Sequence, residues 1–248
     1  MDILTVVGIV VSMGGVFLGN MLEGGDPAGI LWHPFSYMII LGGTIGATLV
    51  QTPLPHLIRT MQLTPWLILP PQSDIEGTIE EIVSWSQTAR KEGLLALEDK
   101  METISDPFTQ KGLQMLASAR EPQSIRATLE AELYAIESRD LVASKFYEAA
   151  GAFSPTIGII GAVLGLIMIM NDLTDPSKLG VGIAAAFVAT IYGLMFANMF
   201  FLPMGVKLKV YVLEQSRYRE LIVEGILLIA AGENPRFIEE QLSSYKIR

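Results

Sequence analysis

Four stretches of this 248-residue chain run without Asp, Glu, Lys or Arg for long enough to cross a bilayer: Ile3–Leu22, roughly 30–57, 149–171 and 179–206. Lipid offers no partner for backbone N–H and C=O, and none of these stretches alternates strictly as a barrel strand does, so each is expected to be a helix. The first resembles a signal peptide in length only. It opens Met1-Asp2 without a basic region, stays uncharged for about 30 Å of helix and has no small-x-small cleavage site, so it reads as a retained anchor.

Between the second and third spans the pattern becomes that of amphipathic helices. Pro65, Pro70 and Pro71 break the exit from the second span, and Ser73 or Asp74 can cap a helix with an apolar side of Ile75, Ile79, Ile82 and Val83. Gly93 interrupts it. A further helix after Pro107 runs through Leu113 and Leu116, and Pro122 starts a long one through Ile125, Leu129, Leu133, Ile136 and Val142 that can continue into the third span. Beyond Val206, the apolar residues Leu208, Val212, Ile222, Ile226 and Ile229 alternate with charges, so the fourth span is expected to run on out of the bilayer as an amphipathic helix. Gly232-Glu233 ends it, and Asn234 as N-cap with Pro235 at the first helical position restarts a short final helix. The fold expected is an all-α integral membrane protein with four transmembrane helices. Residues 1–58 hold transmembrane helices 1 and 2, 59–148 a helical cytoplasmic domain, 149–206 transmembrane helices 3 and 4, and 207–248 a cytoplasmic amphipathic tail.

Composition agrees: 50% of residues are hydrophobic, only 17% charged, and the mean hydropathy is +0.44. A net charge of −9 excludes the basic stripe that nucleic-acid binding requires. With no Cys, disulfides, thiolate nucleophiles, iron–sulfur clusters and Cys-type zinc sites are all excluded. The short connections after spans one and three carry Glu23 and Asp26, and Asp172 and Asp175 with Lys178 as the only base. Arg59, Arg139, Lys145, Lys207 and Lys209 lie on the other side, so the positive-inside rule puts both termini and the 59–148 segment in the cytoplasm.

Candidate chemistry is sparse. His33 and His56 fall at opposite ends of the second span, too far apart to share a metal, and read as interfacial residues. No nucleophile elbow, P-loop or dinucleotide fingerprint is present, so no enzyme is indicated. An intramembrane carboxylate, the usual mark of a proton relay, is absent from all four spans, so any ion-binding carboxylate must come from a partner helix. The pairs Gly15/Gly19, Gly42/Gly46 and Gly161/Gly165 have the spacing that lets helices pack closely. Pro155 and Pro203 each free a backbone carbonyl within a span and permit a hinge, and Thr190 lies at the depth of Ala162. Residues 89–98 concentrate charge around the Gly93 break, which on pattern alone is a solvated face.

Together several segments resemble the A subunit of the bacterial flagellar stator, the MotA/PomA family. They are Gly42-Gly43-Thr44-Ile45-Gly46, residues 89–98, residues 155–165 from Pro155 to Gly165, Ala197-Asn198-Met199 through Pro203, and Gly232-Glu233-Asn234-Pro235. Their order and spacing extend over nearly the whole chain. The resemblance implies a homo-pentamer in the lipid of the bacterial inner membrane, around a dimer of a single-span B subunit (MotB/PomB-like) whose Asp carries the ion. By motif, Arg90 and Glu98 resemble the charged pair that engages the rotor switch-complex protein FliG, and Pro155 and Pro203 the prolines that couple ion transfer to movement. Sodium-driven relatives tend to have Thr where this chain has Ala162, so the proton is the expected ion, and Thr190, matching a polar pore position, keeps sodium as the alternative. No cofactor or nucleic acid is implied.

A related class, the ExbB/TolQ-like proton channels that energise envelope transport, typically has three spans, and four spans with the 89–98 segment favour the stator. A small-molecule carrier would need polar or broken helices at mid-membrane, whereas Pro155 and Pro203 lie near span ends.

Overall fold

The computed structural model describes residues 3–25, 33–170 and 176–246, and every regular element among them is helical. The expected loops bearing Asp26, and Asp172 with Asp175, lie outside the described residues, as does the side chain of Lys178. The chain divides into two units, Met1–Pro70 with Asp140–Val210 and Pro71–Arg139 with Tyr211–Arg248. Four helical stretches are long and apolar enough to cross a membrane.

In the first unit, α1 (Ile3–Leu22) buries none of its residues. Helix α2 (Pro34–Gln51) buries Ser36, Ile40, Thr44 and Thr48, one every fourth residue along a single face. The second span ends earlier than the charge-free stretch suggests. Thr52 is extended (φ −103°, ψ 114°) because Pro53 follows it, and the chain restarts as a separate helix α3 (Leu54–Leu63). Absence of charge marks where a span could run; proline chemistry decides where it stops. Arg59 of α3 donates to both carboxylate oxygens of Asp140 at 2.7 and 2.8 Å, a bidentate pair whose acid is only 4% exposed.

The third and fourth spans are α7 (Val142–Met170) and α8 (Pro176–Met195), and they pack along their whole length through small residues. An added Cβ at Gly165 would meet the Ala186 Cβ at 3.2 Å, and one at Gly161 the Ala189 Cβ at 3.1 Å. Backbone approaches backbone most closely at Gly158 and Gly193. There a Cβ on Gly193 would come within 2.7 Å of the Ser154 carbonyl, so only glycine allows the backbones this near. By contrast, Gly15, Gly19, Gly42 and Gly46 have nothing within 4 Å, so two of the three small-residue pairs read from the sequence do not pack against this chain's own helices. Instead Gly43 lies against Ile157.

In the second unit, α4 (Ile75–Glu92) begins at Asp74, whose carboxylate accepts the Gly77 N–H at 2.9 Å; of the two capping candidates this is the one used. It stops at Gly93, whose φ of +89° is open to glycine and strained for other residues. Helix α5 (Pro107–Ala117) is capped by Asp106, which accepts from the Thr109 N–H at 3.0 Å and from its hydroxyl at 2.7 Å. Helix α6 (Pro122–Asp140) is separated from α7 by a turn at Leu141. The C-terminal elements are α9 (Leu202–Ala230) and α10 (Pro235–Ser243), with Asn234 accepting the Arg236 N–H at 3.0 Å. Ile82, Leu97, Leu113, Leu129, Leu221, Ile226 and Ile238 form the centre of one shared core, each fully shielded from solvent. Burying side chains of this size contributes about 1.5–3 kcal/mol apiece, which makes this unit, unlike the first, a conventional water-soluble packing problem.

The crossing of α7 and α8 can be tested directly. Gly193→Ala should destabilise the detergent-solubilised chain by about 1–3 kcal/mol through backbone overlap, whereas Gly46→Ala, with open space around it, should leave thermal unfolding nearly unchanged. Equal melting of the two variants would show that the close approach is not a source of stability.

Candidate functional site

Every membrane-crossing stretch is free of carboxylate and ammonium groups between its polar ends, so chemistry there must use backbone, hydroxyl and amide groups. Ser154 supplies the first. Its hydroxyl, fully buried, donates to the Gly193 carbonyl at 2.9 Å, tying α7 to α8 where no water could replace the bond. Pro155 follows inside α7, half-buried, with its Cα 3.3 Å from the Cβ that Gly193 lacks. Lacking an N–H, it leaves the Gly151 carbonyl without its usual helical donor. Ala162 lies two turns further along α7, half-buried, beside the Gly161–Ala189 contact, and Thr190, also half-buried, follows Ala189 on the partner helix. The crossing therefore brings the neighbourhoods of Pro155, Ala162 and Thr190 onto one helix pair.

Pro203 is placed differently. It is exposed, in the first turn of α9, just after a π-helical segment at Phe196–Phe201 that the sequence reading did not anticipate. A proline cannot donate to the carbonyl four residues back, and a wider turn is one way to accommodate its ring. Asn198 sits inside this segment, exposed, with its amide donating to the Leu194 carbonyl at 2.9 Å and so repairing part of the helical ladder. Nearby, Tyr37 of α2 stacks on Tyr192 with ring centroids 4.6 Å apart, and Phe196 meets both edge-on, which fixes α8 against α2 just before the wide turn. Ser154 and Tyr192 escaped the sequence reading, which named Asn198 only as part of the Ala197-Asn198-Met199 motif. The spacing Ser154, Gly158, Gly161, Gly165 of small residues was the available signal for the first.

Arg90 and Glu98 lie in the second unit, both exposed, on either side of the Gly93 break. Arg90 is in the last turn of α4, where its guanidinium donates to the Gly232 carbonyl at 3.3 Å. Glu98 opens a single helical turn, Glu98–Met101, directly after the fully buried Leu97. The buried leucine roots the segment while the charges project into water. His33 immediately precedes α2 and His56 lies in α3, and among the described residues no three His, Asp or Glu side chains converge as a metal site would require.

Comparison with known proteins matches this arrangement over its full length. Residues 6–92 fit the motility protein A N-terminal family and residues 100–221 the MotA/TolQ/ExbB proton channel family. Motility protein A of Helicobacter pylori is 34% identical over 245 residues, spanning 99% of this chain and 95% of that protein. Among solved structures, the C. jejuni MotAB structure superposes with a TM-score of 0.94 at 28% identity, covering 99% of this chain and 96% of its counterpart. The flagellar MotAB stator complex from Bacillus subtilis superposes with a TM-score of 0.89 at 33% identity, covering 97% and 94%. With its four apolar helices, its glycine-lined helix pair and these full-length matches, the chain belongs to the motility protein A family.

Proposed function

We propose that this chain is the A-type subunit of a flagellar stator, which with a B-type partner forms an ion channel that turns ion-motive force into torque on the rotor. The observation that carries this reading is the full-length likeness to MotAB structures in a chain whose own spans hold no titratable carboxylate. The two facts are complementary, because an ion path needs a carboxylate and a B-type helix can bring one. Four spans, and the match of residues 6–92 to a motility-specific N-terminal family, favour this reading over an ExbB/TolQ-like role.

In the proposed assembly, copies of this chain form a pentamer around a dimer of the single-span partner in the inner membrane, with both termini and the second unit in the cytoplasm. Pro155, Ala162, Thr190 and Pro203 line or flank the ion path, and α7 and α8 move as one body because their backbones interlock at Gly158 and Gly193. One charge crossing 100 mV releases about 2.3 kcal/mol, enough to bias a step between apolar surfaces though not to tear apart a well-packed interface. Arg90 and Glu98 are the proposed contacts to FliG. The proton is the proposed ion, since Ala162 offers a methyl group where a dehydrated sodium ion would seek an oxygen ligand.

Three outcomes check this reading. Liposomes holding this chain alone should show no proton flux above empty vesicles, and flux should appear on co-reconstitution with the B partner; conduction by the chain alone would remove the argument from the missing carboxylate.

Swimming should stop with a protonophore and ignore external sodium. Ala162→Thr by itself should not convert the ion, since the partner helix also shapes the site. Speed that follows sodium at constant proton-motive force would contradict the assignment.

Charge reversal should separate torque from conduction. An exposed pair is worth about 0–1 kcal/mol, so a single neutral substitution at Arg90 or Glu98 should only slow the motor. Arg90→Glu with Glu98→Lys should abolish swimming while ion conduction persists, and compensating reversals on the rotor should restore part of the motion. Loss of conduction and swimming together would return both residues to ordinary surface charges.

A further inference from the structure

Where the second span ends, the chain leaves a small basic cavity that none of the preceding roles uses. Gln51 is the last residue of α2, and the Thr52-Pro53 break turns α3 away instead of continuing the span. The space opened by that turn measures about 220 Å³ and is lined by Gln51, Thr52, Pro53 and His56 on one side and by Val142, Lys145 and Phe146 of α7 on the other. All of these residues belong to the first unit.

The charges around the cavity are unevenly satisfied. Asp140 is engaged by Arg59 through two short bonds, and Glu148 accepts the Ser144 hydroxyl at 2.9 Å. Lys145 makes no ion pair with any described residue, so a cation faces the cavity with no acid assigned to it. The amide of Gln51 and the imidazole of His56 add further hydrogen-bond donors. Close by in the chain, apolar side chains are bare: Val50 is 91% exposed, Leu54 67% and Ile58 52%. A recess that combines one cation and hydrogen-bonding groups with apolar walls, at the end of a membrane span, has the chemistry of a lipid headgroup site.

We propose that this cavity binds the phosphate of an anionic phospholipid, phosphatidylglycerol or cardiolipin. Lys145 supplies the charge, Gln51 and His56 the hydrogen bonds, and Val50, Leu54 and Ile58 the surface along which an acyl chain lies. A zwitterionic headgroup carries its own ammonium and gains less from Lys145. The bound lipid would brace the α2–α3 bend against α7 at the membrane boundary.

The test uses the full-length assembly in mild detergent, titrated separately with phosphatidylglycerol, cardiolipin, phosphatidylcholine and inorganic phosphate. Retained lipid is read by native mass spectrometry and stabilisation by thermal unfolding. Anionic lipids should be retained and raise the melting temperature, with phosphatidylcholine and free phosphate well behind. Lys145→Gln should weaken anionic-lipid retention about five-fold, the effect of losing one basic group at such a surface, and Lys145→Arg should preserve it. Equal retention of phosphatidylcholine and phosphatidylglycerol overturns the proposal, as does undiminished binding by Lys145→Gln with His56→Gln. Stabilisation by inorganic phosphate equal to that by lipid also overturns it, because the recess would then be a free-anion site. The preference of the unaltered protein among headgroups stands as a readout even if the double variant fails to fold.

Discussion

Everything in the membrane unit is organised by how closely α7 and α8 approach. Helices in lipid gain little from apolar burial, since the tails are as apolar as leucine, so association depends on dispersion and on hydrogen bonds that water cannot supply. Glycines at 158 and 193 bring backbone to backbone, and the Ser154 hydroxyl then reaches the Gly193 carbonyl. The same line of contact runs from Gly165 against Ala186 to Gly151 against Leu202. Between Gly158 and Gly151 one helix advances seven residues, while between Gly193 and Leu202 its partner advances nine. The wide turn at Phe196–Phe201 falls in that interval and accommodates about one residue of the difference.

That arrangement determines what the outside of the unit offers. With their small faces turned toward each other, α7 and α8 present large apolar side chains outward, among them Phe187, Leu194, Ile159 and Ile167. Helix α1 buries nothing, and Gly42 and Gly46 of α2 face open space. Surfaces that are smooth and uncharged suit contact with lipid and with other helices alike, and they create no local trap for a moving neighbour. The charge pair of Arg59 with Asp140 is bidentate and sits beyond the end of the second span, where its desolvation is offset by two short bonds.

Much of this was legible in the sequence because the responsible signals are local. The first span matches its charge-free stretch residue for residue, Gly93 ends α4, and Asn234 with Pro235 starts α10, each through chemistry within a few residues. Four spans in a helical protein follow from the same reasoning. What escaped depends on partners distant in the chain or on competing local terms. The second span stops short of its charge-free stretch because absence of charge says nothing about Pro53, which holds Thr52 extended and ends the helix at Gln51. Glycine spacing alone does not say which pair meets a partner; Gly161 does, and Gly15 does not. The Arg59–Asp140 bond joins residues 81 apart, and no hydropathy pattern announces the π turn at Phe196–Phe201.

On the proposed stator reading, the second unit answers a different physical demand, that of a rotor contact. A surface that must engage and release a partner repeatedly cannot rely on deep apolar burial, because each release would then cost several kcal/mol. Exposed charges avoid that: they attract at a distance, orient the encounter, and exchange with water at small net cost. Their weakness requires that the backbone beneath them be held firmly, or the force would be spent on bending the segment. Leu97 at 0% exposure and Trp85 at 5% root the stretch between Arg90 and Glu98 in the core, and the Gly232 carbonyl holds the Arg90 guanidinium from behind. One sequence segment thus holds both features, Gly93 providing the turn and Leu97 the anchor, with the exposed charges of Arg90 and Glu98 available for the proposed contact.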